Sequence, residues 1–406
     1  MREMRDSGVE WIGEIPKDWN CCKQKYRFTL INGRAFKDNE FEEDGTYRIL
    51  RVGNLFSNPV WYSSSLELEP DKYCEKGDLI YAWSMSYGPY IWNEEKVIYH
   101  YHIWKTKLVS DMDKMFSYYY LQALTESIKS QTHETTMGFV TMGIMNNSYI
   151  AYPRNIKEQK KISDYLDAKC SKIDEIIEKQ LSIIEKLKEY KLSYINEVTN
   201  VNDGIKCHLG FIGQMKNGLN FTDTSEGHKI KFLGVGDFKD NFFVDKEEMF
   251  STIISEENVA EDYMLHSGDI VFVRSNGSKE LVGRAVMVNG IEYPVTYSGF
   301  CIRFRNIRPD IIDSKFLLYY FRSLDFRKQL EKYSQGSNIS NLNQDLLSSL
   351  QFTIPSKDYQ KRRLDEMEIK CKEIDNAVIK FEGMNNKLQE YKKSLIYEVV
   401  TGKKEV

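Results

Sequence analysis

The sequence predicts an α/β (α+β) protein: two mixed α/β globules separated by two long helices packed as an antiparallel coiled coil, related by a pseudo-two-fold internal repeat. Three observations predict this. The stretch KLKEYKLSYINEVTN at Lys186–Asn200 returns as KLQEYKKSLIYEVVT at Lys387–Thr401, an offset of 201 in a chain of 406 residues. Other echoes keep their order in both halves: NGRAF (Asn32–Phe36) with NGLNF (Asn217–Phe221), ILRVGNLF (Ile49–Phe56) with FLGVGDFK (Phe232–Lys239), and KGDLIYAW (Lys76–Trp83) with SGDIVFVR (Ser267–Arg274). Two proline-free, Glu/Lys-rich segments carry heptads at coincident places, so that one unit is present twice.

The helices are read from period. In Ile156–Val198, Leu166, Ile173, Gln180, Leu187 and Tyr194 recur at seven-residue steps, with Cys170, Ile177, Ile184, Lys191 and Val198 four residues later. In Gln360–Val399, Met367, Ile374, Phe381, Leu388 and Leu395 do the same, followed by Cys371, Val378, Asn385, Lys392 and Val399. A helix of that length is about 60 Å long and has an apolar stripe it cannot bury alone, so the two repeats are expected to pack on each other, antiparallel if a two-fold relates them. Gly383 is a candidate kink.

Pro153 and Pro355 precede these helices and stop the expected strands SYIAYP and LQFTIP. The varied parts alternate β-rich runs with turns: YRILRV, DLIYAWS, KVIYHYHIWKT, KFLGVG, DIVFVRS, RAVMVN and FCIRFRN. Helices are expected at Phe116–Ser130 and Ser314–Tyr333.

Composition excludes several classes. Hydrophobic residues make up 41% and charged residues 29%, ordinary for a water-soluble protein, and no apolar run reaches the ~20 residues of a membrane span. The N-terminal MREMRDSGVEWIGEIP lacks the apolar core of a secretory signal. The seven cysteines form no CxxC pair, which predicts a reducing, cytoplasmic setting and argues against a zinc ribbon. The six histidines form no HExxH; His100 and His102 alternate on an expected strand, and no metal is assigned to them. The net charge of −4 is unlike a protein that grips nucleic acid through phosphates alone. Two accounts survive: no nucleic-acid binding, or base reading by local groups while other subunits supply charge.

Enzyme motifs are weak. FLGVG (Phe232–Gly236) fits the FxGxG loop of adenosylmethionine-dependent methyltransferases, but its repeat partner has Arg51 in place of the first glycine, favouring a strand and turn. NPVW (Asn58–Trp61) falls one proline short of an adenine-gripping NPPF/Y. Asp310, Asp313 and Lys315 stand too close in sequence for a nuclease carboxylate set, and there is no phosphate loop. No catalytic residue and no cofactor are assigned.

Binding candidates are better placed. Trp83, Ser84, Ser86 and Tyr87 follow the strand DLIYA; Arg274, Ser275, Asn276, Ser278 and Lys279 follow the matching strand DIVFV. Arg and Asn read guanine and adenine bidentately, and equivalent loops with different side chains suit two different half-sites. A plain solvated hairpin stays open as the alternative. A second polar pair of segments, 131–138 and 335–340, includes Gln335, Ser337 and Asn338.

At these residues the chain resembles the specificity subunit of type I restriction-modification systems. SGVEWIGEIPKDW (Ser7–Trp19) is similar to that family's N-terminal signature. Asp78–Lys105 and Asp269–Val288 look like two of its recognition-domain types, and the duplicated KLKEYKLSYINEVT and KLQEYKKSLIYEVVTG look like the ends of its conserved helical regions. One departure stands: VNDGIKCHLGFIGQM replaces the second EWIGEIPxxW-like stretch, leaving Trp11 and Trp19 without a copy, so the halves are not expected to enter their recognition domains alike. The resemblance implies an N-terminal segment (1–20), target recognition domain 1 (21–153), a central helical spacer (154–200), target recognition domain 2 (201–355) and a distal helical region (356–406). It implies a non-catalytic, cytoplasmic, host-defence DNA reader. Each domain would read half of a bipartite double-stranded target, and the helices would dock two methyltransferase subunits, joined by motor-nuclease subunits. Lys186, Lys188, Tyr190, Lys387 and Tyr391 are the candidate docking residues. The competing readings are a self-contained methyltransferase using FLGVG and a coiled-coil scaffold that binds only protein.

Overall fold

The computed structural model describes residues 2–56, 58–131, 139–221, 227–255, 258–275, 279–333 and 341–406. The chain divides into two compact units, Met1–Gln180 with Gly383–Val406, and Leu181–Glu382.

In the first unit, a four-stranded sheet runs in the order Phe28–Asn32, Ile103–Leu108, Leu79–Ala82, Gly88–Ile91, and a second in the order Tyr62–Ser64, Tyr47–Leu50, Val97–Tyr99, Tyr73–Cys74. In the second unit, the corresponding sheets are Gly213–Asn217, Cys301–Asn306, Ile270–Val273, Ala285–Val288, Phe243–Val244, and Ser251–Ser255, His228–Leu233, Val295–Tyr297. Registers repeat as well: Trp104 lies opposite Asn32, and Ile302 opposite Asn217.

The uninterrupted apolar runs LIYA (Leu79–Ala82) and IVFV (Ile270–Val273) follow from two-sided burial. Leu79 and Tyr81 join the core beneath helix Lys114–Gln131, whereas Ile80 and Ala82 join the core shared with Tyr99 and Val97. In the second unit, Ile270 and Phe272 face the core holding Phe316–Phe321, while Val271 and Val273 face Leu233 and Val295. Side chains alternate across a strand, so a strand covered on both faces needs apolar residues throughout.

The long helices span Ile156–Thr199 and Lys357–Val400, the latter unbroken through Gly383. In the first unit, Leu166, Cys170 and Ile173 cluster with Leu395, Ile396 and Val399, and Lys392 pairs with Asp174 at 2.7 Å. In the second, Ile195 and Val198 cluster with Leu364, Met367 and Cys371, and Lys191 pairs with Asp375 at 2.7 Å. Within each unit the beginning of one helix meets the end of the other, the antiparallel arrangement expected from the heptads, whose positions named above are all buried or half-buried. The ion pairs also exchange partners across the repeat.

A buried glutamine anchors each helix. Gln159 donates to the carbonyls of Pro153 and Asp111 and accepts from the Asp113 amide; Gln360 donates to those of Pro355 and Ile311 and accepts from that of Asp313. Each ties the proline-ended strand and the preceding helix to the start of a long helix.

Three expectations are corrected. KVIYHYHIWKT is two strands, Val97–Tyr99 and Ile103–Leu108, in different sheets, with His100–His102 turning between them. The helix expected over Ser314–Tyr333 breaks into Ser314–Phe321 and Leu324–Tyr333, because the buried Ser323 hydroxyl accepts the Phe326 amide and starts a new helix. The halves begin more alike than expected: strand Asn20–Lys23 pairs with Tyr149–Tyr152 as Ile205–His208 pairs with Gln351–Ile354. Ahead of these strands, the hairpin Met4–Asp6/Glu14–Pro16, which carries Trp11 in its loop and leads to the buried Trp19, has no counterpart among the described residues.

Two glycines explain the echoed Asn-Gly. A Cβ on Gly33 would stand 2.3 Å from the Tyr99 carbonyl oxygen, and one on Gly218 would stand 2.3 Å from that of Ser298. Gly33→Ala and Gly218→Ala are each expected to destabilise by ~1–3 kcal/mol or more through backbone overpacking. Urea unfolding of the full chain checks this, with Gly236→Ala, where a Cβ meets nothing within 4 Å, as the neutral control.

Candidate functional site

Around each crossing glycine four segments converge, held by the same backbone bonds. In the first unit the Gly33 amide donates to Ile103 (3.1 Å), Arg34 to Tyr99 (3.0 Å), Tyr101 to Arg34 (3.0 Å), Trp83 to His102 (3.1 Å) and Val140 to Trp83 (2.8 Å). In the second unit Gly218 donates to Cys301 (3.1 Å), Leu219 to Tyr297 (3.0 Å), Gly299 to Leu219 (2.7 Å), Arg274 to Phe300 (2.8 Å) and Leu342 to Arg274 (2.8 Å). Bridges Ser84–Phe139 and Ser275–Asn341 complete the correspondence. The scaffold is one; the side chains it presents are not.

The first face is aromatic and held in place. Trp83 stacks on Trp104 (5.8 Å, 19°), which stacks on Tyr81 (5.9 Å, 19°). The Trp83 indole donates to the Tyr101 carbonyl at 2.7 Å, and the His102 ring meets Trp83 edge-on at 4.8 Å. Ser84 and Tyr87 are half-buried, Ser86 is exposed, and Met85, Tyr101 and Phe139 are exposed. Arg34 is engaged bidentately by Glu40 at 2.6 and 3.0 Å, and this pairing holds the Glu40 carboxyl below its usual range. Burial, with the neighbouring His102 and Arg51, pushes the His100 pKa down to about 4, so its imidazole is neutral near pH 7.

The second face is more polar. Arg274 is half-buried and donates to the Gly299 carbonyl at 3.4 Å, and Ser275 is half-buried. Where Tyr101 stands in the first unit the second has Gly299, whose Cβ would collide with the Asn220 side chain at 2.2 Å. Phe300 is exposed. Asn276, Ser278, Gln335, Ser337 and Asn338 lie outside the described residues, and Lys279 opens the 3-10 turn Lys279–Leu281. Thus Trp83–Tyr87 and Arg274–Ser275 occupy equivalent places, as the sequence predicted. The turns His100–His102 and Ser298–Phe300 went unrecognised, although the repeated Asn-Gly facing them was a signal.

A family model described as type I restriction modification DNA specificity domain matches residues 16–186 and again 207–396. The chain belongs to this family. It is 26% identical over 260 residues to the type I restriction enzyme StySPI specificity subunit of Salmonella potsdam, covering 58% of this chain and 54% of that protein. It is 25% identical over 146 residues to the EcoKI specificity subunit of Escherichia coli K12, covering 36% and 31%. It is 24% identical over 314 residues to the MjaVIII specificity subunit of Methanocaldococcus jannaschii, covering 72% and 70%. The chain thus spans about half and a third of the lengths of the first two relatives. A chain solved in a study of complex assembly and conformational transition of the type I restriction-modification system shares the fold, with a TM-score of 0.71 at 13% identity over 95% of this chain and 98% of that one.

The enzyme-like motifs of this specificity-family chain have structural occupations. Gly234 caps a 3-10 turn, its amide donating to Asp237 at 2.7 Å. Asp310 pairs with Arg308, Asp313 accepts the Lys315 amide at the start of a helix, and Lys315 pairs with Glu368 at 2.7 Å. Among the described residues no group of three His, Cys, Asp or Glu could hold a metal, and no helix is long and apolar enough to cross a membrane.

On the long helices Lys186, Lys188, Tyr190, Lys387 and Tyr391 are all exposed. Two residues missed from sequence join them. Ile183, seven residues before Tyr190, and Met384, seven before Tyr391, are 40% exposed each, so each unit displays an apolar pair two turns apart beside lysines.

His100 sets a pH dependence. Its folded pKa lies below the ordinary 6.5, so the unfolded chain takes up the proton first as pH falls. The contribution of His100 to stability is therefore expected to be lost between about pH 6.5 and 4 and to change no further below, where paired carboxylates such as Glu40 take over the acid loss. Denaturation midpoints across that range, compared between the wild type and His100→Asn, check this; the difference between the two should close toward acid.

Proposed function

We propose that the chain is the non-catalytic DNA-recognition subunit of a cytoplasmic type I restriction-modification complex. Residues 21–153 and 201–355 each read one half of a bipartite double-stranded target. One observation carries the reading: a backbone scaffold repeated bond for bond that presents Trp83, Tyr101 and His102 in one unit, and Arg274, Ser275 and Phe300 in the other. Constant geometry with changed chemistry is what two different half-sites require. Family membership supports it, as do the structural roles of the motifs a self-contained methyltransferase or nuclease would need.

The duplicated helix surfaces Ile183/Lys186/Lys188/Tyr190 and Met384/Lys387/Tyr391 support docking of two methyltransferase subunits, with motor-nuclease subunits joining them. Adenosylmethionine then belongs to the methyltransferase. The partners also supply phosphate contacts, which reconciles DNA reading with a net charge of −4.

The test is selection of bound duplexes from a random pool by the chain co-expressed with its methyltransferase. Two sequence blocks separated by a fixed gap are expected; no enrichment would refute the reading. Arg274→Ala should relax one position of one block at a cost of ~1–3 kcal/mol if Arg274 contacts a base, with Asn276 and Lys279 acting on the same block. Uniform weakening across sequences would make Arg274 a phosphate contact. Lys186→Glu with Lys188→Glu should weaken methyltransferase co-purification while the unfolding midpoint moves by under about 0.5 kcal/mol, because both residues are exposed.

A further inference from the structure

The five-residue loop Trp83–Tyr87 joins strands Leu79–Ala82 and Gly88–Ile91, which pair up to Ala82 opposite Gly88. Its tip is Met85, 81% exposed and the most exposed large hydrophobic residue among those described. Met85 also has φ = 62°, in the left-handed region, one of two non-glycine residues among those described with positive φ. That conformation is unfavourable for an L-residue with a long side chain, and exposing a thioether to water gains nothing in return. A glycine or asparagine would satisfy the turn at lower cost. An apolar side chain held there against both preferences is an outlier that calls for an occupant.

The foundations of the loop are rigid. Trp83 is fixed by its stack on Trp104, by its indole bond to Tyr101 and by backbone bonds to His102 and Val140. Tyr87 and Trp83 both pack against the main core of the unit, and Lys129 lies over the Tyr87 ring at 5.5 Å. Ser84 and the exposed Ser86 flank the tip with hydroxyls. The construction is a loop anchored at both ends with an apolar head and a polar collar, standing on the face that the proposed function assigns to DNA.

We propose that Met85 is a wedge that inserts between two stacked bases of the half-site read by the first unit, locally unstacking and kinking the duplex. Apolar side chains, methionine among them, serve as such wedges because they replace base–base stacking contacts while the flanking polar groups hold the backbone. The equivalent position in the second unit follows Arg274 and Ser275 with polar sequence, so the second half-site is read without this wedge. Specificity at the wedged step then comes from the ease of unstacking that step, favouring pyrimidine–purine steps, rather than from a hydrogen bond to a base.

The inference rests on the DNA-reading assignment, and its test separates the two. The complex of the full chain with its co-expressed methyltransferase is bound to a duplex selected by the wild type, carrying a fluorescent base analogue at each position in turn. The wild type is expected to raise fluorescence several-fold at one step of one half-site. Met85→Ala should abolish that rise while the second half-site is protected from footprinting as before. Met85→Gly should also abolish it and, by relieving the left-handed strain, raise the melting temperature by about 1–3 °C. Uniform fluorescence with the wild type, or a rise unchanged by Met85→Ala, on a duplex that is specifically bound would overturn the wedge and leave the DNA-reading assignment standing. Absence of any specific binding would overturn both.

Discussion

The architecture depends on a close backbone crossing. At Gly33, and again at Gly218, one chain segment passes so near a carbonyl that a single added carbon would stand 2.3 Å from oxygen. The crossing lets one strand leave the second sheet, turn over the glycine and enter the first sheet as its neighbour. It also draws the loop after Ala82, or after Val273, against that turn through the bonds Trp83–His102 and Arg274–Phe300. The candidate reading face is thus fixed by backbone geometry, and its side chains are free to differ between units without disturbing the fold.

Around this crossing the rest is two-sided burial. Strands Leu79–Ala82 and Ile270–Val273 divide their side chains between a helix-covered core and a sheet-covered core. The buried Gln159 and Gln360 fasten the whole to the long helices by satisfying backbone groups that would otherwise be orphaned. Their repetition places the same mechanical joint in each unit. The exposed pairs Ile183/Tyr190 and Met384/Tyr391 stand farther along the helices, each beside exposed lysines.

Much of this was legible in the sequence because it is written in local periods. Heptads revealed the long helices, and the 201-residue offset exposed the repeat; the exchanged pairs Asp174–Lys392 and Lys191–Asp375 keep that offset but emerge only from the structure. The hidden features were set by distant contacts. KVIYHYHIWKT reads as one strand because its alternation continues through the turn; the glycine that forces the turn lies far upstream at position 33. The break at Arg322–Ser323 depends on one hydroxyl finding an amide three residues on. The loops after DLIYA and DIVFV were found because strand-ending patterns are local. His100–His102, Ser298–Phe300 and Met85's left-handed backbone acquire meaning only once four segments are brought together.

The central claim is that two equivalent scaffolds read two different short sequences as one target. The most direct measurement is single-molecule sequencing of N6-methyladenine in DNA from cells that express the chain with its methyltransferase subunit and no other adenine methyltransferase. The account predicts methylation at a split, asymmetric motif: two unlike blocks of specified bases separated by a fixed number of unspecified ones. A single continuous motif, a palindrome of identical halves, or methylation that persists unchanged when this chain is deleted would contradict it.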